Sequence, residues 1–91
     1  MSAQEDREAA AAAEALYAIS WCLRAMACGY GLLSAERAAC LRLLEAGIPG
    51  VDTTALQAAG KILSATRRLG SRQRDRAAEL SVRFAEVAEH G

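Results

Sequence analysis

The sequence predicts an all-α protein: a small four-helix bundle with a long first helix, three shorter helices and antiparallel neighbours. Three observations predict it. Apolar residues recur at spacings of three and four along most of the chain, and no stretch alternates as a half-buried strand requires. Breakers at Gly29-Tyr30-Gly31, Gly47-Ile48-Pro49-Gly50 and Gly70 cut the chain into four segments. The joints between segments are short, which sets successive helices antiparallel.

The first segment reads as one helix over residues 3–33. Residues 1–14 hold Glu5, Asp6, Glu8 and Glu14 against Arg7, a net charge of −3, among alanines. These are good helix formers, with carboxylates at the positive end of the helix dipole. They include no large apolar side chain with which to dock. An extension that protrudes or awaits a partner is therefore expected over 1–14, with a single helical domain over 15–91. From Ala15 onward the helix carries two apolar stripes on nearly opposite sides. Leu16, Ile19, Leu23, Met26, Tyr30 and Leu33 form one. Tyr17, Trp21, Cys28 and Leu32 form the other, with Arg24 set among them. A surface helix needs only one stripe. The second must meet more of the chain, a partner or lipid.

The second helix starts after Ser34, an N-cap residue, with Glu36 in its first turn, and stops at Gly47. Cys40, Leu41, Leu44 and Ile48 share its inner side. Asp52 or Thr53 caps a third helix over 53–69. There Leu56, Ala59, Leu63 and Thr66 form the inner strip, flanked by Ala55 and Ile62. Gly70 ends it and Ser71 caps the fourth helix, residues 72–89. Ala77, Leu80, Phe84 and Val87 point inward there, while Arg72, Arg76, Glu79, Arg83 and Glu86 make a charged outer row.

Ninety-one residues bury one thin core, because 22 of the apolar residues are alanine. Oligomerisation commonly supplies what such a core lacks, so a homodimer or hetero-complex is expected. The 11 basic and 11 acidic residues balance, which gives no global pull toward nucleic acid or membrane. Cys22, Cys28 and Cys40 are odd in number and lack C-x-x-C spacing, and His90 is the only histidine. Zinc binding and a disulfide framework are not expected; buried free thiols in a reducing cytoplasm are. The acidic start lacks the basic region of a secretory signal. Arg24, at the midpoint of the most apolar stretch, argues against a membrane span. Ten Arg to one Lys, with no Asn, point to a GC-rich genome, that of a bacterium or a phage.

No catalytic constellation is present: no G-x-S-x-G, no Gly-rich phosphate loop and no H-E-x-x-H. An enzyme, a cofactor and a metal are all unexpected. Two surfaces remain. Tyr17, Trp21, Arg24, Cys28 and Leu32 are the candidate partner-binding residues, of types enriched at interface hot spots; the alternative is that Trp21 is core. Arg67, Arg68, Arg72, Arg74 and Arg76 form a basic corner. It could bind an anion or acidic partner, or meet the acidic N-terminal segment in cis or across a dimer. A helix-turn-helix fits poorly, since Pro49 and two glycines make the break between helices two and three too long. The expected function is a non-catalytic protein-binding module of the adaptor, chaperone, antitoxin or inhibitor type. A nucleic-acid-associated regulator using the basic corner is the alternative, and a membrane-associated helix the second.

Overall fold

In the computed structural model, which describes residues 3–90, four helices hold 78% of the described residues, and no strand occurs among them. They are α1 (Ala3–Ala27), α2 (Ser34–Ala46), α3 (Thr53–Leu63) and α4 (Ser71–His90). The predicted all-α bundle is the architecture found. Met1 and Ser2 of the expected extension, and Gly91, lie outside the described residues.

The central pair is α1 with α4. Ser20 Oγ donates to the Ser81 carbonyl oxygen at 2.6 Å inside the core and fixes their antiparallel register. Around this bond Ile19, Leu23, Leu63, Leu80 and Phe84 are the largest fully buried side chains. Leu16 and Met26 extend the buried stripe of α1, while Cys40 and Leu44 of α2 and Ala55, Ala59 and Ile62 of α3 close the core from the other side. The tight contact at the centre depends on small residues, since Ala59 and Ala77 are completely buried.

Helix α1 stops six residues before the predicted Leu33. Gly29 adopts φ +87°, its N–H donates to Met26 O at 3.1 Å, and the Tyr30 N–H donates to Ala25 O at 2.9 Å. These two bonds are the Schellman closure that glycine favours. Beyond it the helical period no longer applies, so Tyr30 and Leu33, expected on the inner stripe, are 71% and 70% exposed.

Helix α3 also stops six residues short of prediction. Ser64 Oγ donates to the Gly60 carbonyl oxygen at 2.6 Å, and its N–H uses the same acceptor. The break has a packing cause. In a continued helix Leu69 would lie about 120° around the axis from Leu63. Ending at Leu63 lets the chain turn Leu69 back into the core, where it is buried. Thr66, expected on the inner strip, is exposed as a result, and Leu56 is only half-buried.

The caps differ from expectation in detail. Leu33, not Ser34, precedes α2, and its N–H donates to the Glu36 carboxylate at 3.3 Å. Gly70, not Ser71, precedes α4, with its N–H donating to Gln73 Oε1 at 3.2 Å. Asp52 precedes α3, but its carboxylate makes no cap and lies 3.6 Å from Arg83 instead. Gly50, at φ +87°, brings the α2–α3 connection against α4: a Cβ there would sit 3.2 Å from Val87 Cγ1.

Candidate functional site

The second stripe of α1 is not absorbed by the rest of the chain. Trp21 is 65% exposed, and Tyr17, Arg24 and Cys28 are exposed with it. The Arg24 guanidinium carbon lies 5.4 Å from the centre of the Trp21 ring, an i,i+3 cation–π contact that holds both groups on one face. Beside them α1 and α2 diverge and leave a groove of about 470 Å³. Trp21 and Leu32 are its large apolar residues, Ala18, Ala25 and Ala39 keep it open, Cys22 and Cys40 lie at its base, and Glu36 supplies the one charge. The structure thus brings Trp21 and Leu32 together in the groove, sets Arg24 against the Trp21 ring outside its lining, and leaves Tyr17 and Cys28 outside it as well. Sequence reasoning missed the contribution of α2. Its signal is the Ala38-Ala39-Cys40 run, whose small side chains let a cleft remain next to α1.

The two cysteines at the base are in contact, with Sγ atoms 3.1 Å apart. All three thiols are free, and Cys22 and Cys40 are buried as expected, whereas Cys28 is exposed just past the end of α1. Burial above all pushes the Cys22 thiol up to about 12; the hydrogen bond and the charge of Cys40 add to this, as does the Glu36 carboxylate. At neutral pH Cys22 is a neutral thiol, a poor nucleophile.

The basic corner divides. Arg67, Arg68 and Arg74 line one pocket at the end of the molecule where α1 stops. Arg72 and Arg76 do not, and Arg76 instead pairs with Glu79 at 3.2 Å on the outer row of α4. Among the described residues no ion pair joins this corner to Glu14, the acidic residue of the segment nearest to it. Met26 lines the pocket, and Glu14 is already twelve residues back along the straight α1. That is about 18 Å of helix rise, well over a Debye length at physiological salt.

No group of three or more His, Cys, Asp or Glu side chains among the described residues is placed to hold a metal ion. No described helix is long and apolar enough to cross a membrane. The chain matches no protein-family model, no curated protein and no solved structure.

Proposed function

We propose that this chain is a non-catalytic protein-interaction module, of the adaptor, chaperone, antitoxin or inhibitor kind, that seats a partner protein on the α1–α2 groove beside Trp21. One observation carries the reading. An indole two-thirds exposed, ordered by a stacked guanidinium, borders an apolar groove of about 470 Å³. Trp and Arg are the residue types most enriched among binding hot spots, and such anchors work best beside a pocket. The small groove residues leave room for an apolar side chain of the partner, while Arg24 and Glu36 supply polar contacts of both signs at the edge. The three free thiols support action in a reducing cytoplasm.

The test compares wild type with Trp21→Ala in sedimentation at micromolar concentration and in affinity capture. A homodimer or hetero-complex formed by wild type is expected to weaken about 30-fold or more in the variant, the scale of a hot-spot truncation. Helicity and thermal midpoint stay nearly constant, because the ring is exposed. A wild-type chain that stays single and captures nothing overturns the reading. So does a complex indifferent to Trp21 but lost on reversing Arg67, Arg68, Arg72, Arg74 and Arg76 to Glu.

A further inference from the structure

Next to the Trp21 groove, with Leu32 bordering both, three elements bring cations to one recess. Arg37 comes from α2, Arg67 and Arg68 from the loop that follows the early stop of α3, and Arg74 from α4. The recess measures about 260 Å³, and Tyr30 and Met26 are among its apolar borders. No acidic residue lines it. None of the four arginines has a carboxylate within 4 Å among the described residues, although Arg76 and Arg83 each have one. Like charges gathered this closely repel, and no carboxylate within 4 Å among the described residues offsets them.

Two further observations point to an anion. The Arg37 Nε atom is buried and has no hydrogen-bond partner among the described residues. A buried donor left unmade is costly, so it calls for an acceptor. The first turn of α4 also breaks the ordinary rule of helix charge. It carries Arg72 and Arg74 and no acidic residue, cations at the positive end of the dipole. A local rule broken without a visible structural gain is characteristic of a binding site.

We infer that this recess binds a small phosphorylated ligand, a phosphate monoester or diphosphate, with its phosphoryl oxygens taken by Arg37, Arg67, Arg68 and Arg74 and its organic part against Tyr30. Guanidinium groups match phosphoryl oxygens in geometry and hold them by paired, charge-assisted hydrogen bonds. The volume lies just below the range of drug-sized ligand pockets, which suits a small ester. A nucleic-acid strand needs a basic track along which to run. Here Arg72 and Arg76, which would extend the track, lie outside the recess. The site shares Leu32 with the Trp21 groove but none of its charged residues, and its test reads the arginines alone, so either can fail without the other.

The experiment titrates the full chain with inorganic phosphate, pyrophosphate, ADP and a short single-stranded oligothymidine, by calorimetry and by backbone amide shifts. Pyrophosphate or ADP is expected to bind one to one and to move the amides of Gly31, Arg37, Arg67, Arg68 and Arg74, not those around Ala18 and Trp21. Arg37→Gln and Arg74→Gln each weaken binding about tenfold or more, and Arg76→Gln changes it less than about twofold. The wild-type amide map stands by itself if Arg37→Gln does not fold. No binding by any phosphate probe at millimolar concentration overturns the inference. Binding of the oligonucleotide alone, with affinity falling steeply in salt, overturns it in favour of a nucleic-acid surface. Equal sensitivity to Arg76→Gln reduces the effect to general positive charge and overturns it as well.

Discussion

The Cys22 and Cys40 thiols face each other across the joint of α1 and α2, and ionising Cys22 would put a charge into the core. Cys22 has its pKa raised from the ordinary 9.0 to about 12, chiefly by burial. The folded value therefore lies above the unfolded one. The neutral thiol contributes its full stability below about pH 9, and this contribution is lost as pH rises toward 12. Denaturant midpoints measured across that window should fall in wild type and fall less steeply in Cys22→Ala; parallel curves would remove Cys22 as the cause. Asp52 shows a second residue-level choice. A carboxylate at an N-cap position ordinarily accepts a backbone N–H of the first turn. Here it turns toward Arg83 at 3.6 Å and ties the start of α3 to α4. Both groups are more than half exposed, so the exchange adds little stability.

Among the elements, α3 carries an avoidable weakness. Gly60 lies inside the helix, where glycine costs about 0.5–1 kcal/mol relative to alanine. A Cβ at that position would meet nothing within 4 Å. Gly60→Ala should therefore raise the unfolding free energy by about 0.5–1 kcal/mol in a urea titration; a drop would show that α3 needs glycine for a reason its surroundings do not reveal. The helices themselves were legible in sequence, because period and breakers agree: Leu16, Ile19, Leu23 and Met26 of α1, and Ala77, Leu80 and Phe84 of α4, are buried as read. Two ends were not legible. Gly29 could have bent α1 or stopped it, and only the Schellman bonds decide. The stop of α3 is set by the burial of Leu69, a tertiary demand with no local signal. The same limit applies to the sites. Trp21, Arg67, Arg68 and Arg74 stood out as residue types, whereas Arg37, the groove alanines and the Cys22–Cys40 contact depend on which helices become neighbours.

On the scale of the molecule, the long axis of 45 Å reflects α1 outrunning its partner. Counting from the Ser20–Ser81 bond, α4 reaches His90 opposite Ala11, so residues 3–10 pass beyond it by about 12 Å. All eight of these residues are exposed. A chain lacking residues 3–10 should keep its thermal midpoint within about 2 °C, read by circular dichroism. A larger drop would mean that the overhang docks on the shallow cavity beside Pro49 and Val87, which Glu5 and Glu8 border. The pairing of the first helix with the last also governs how the chain reaches this state. The register bond joins positions 61 residues apart. Closing a loop of that length costs about 4 kcal/mol in chain entropy before the main interface offers any return. Helical proteins owe their speed to local contacts, and here the decisive contacts are not local. During synthesis Ile19 and Leu23 are made before Leu80 and Phe84, the residues they pack with. The core therefore assembles only once α4 is available, and until then the apolar side of α1 lacks its main partner and stays a target for chaperones.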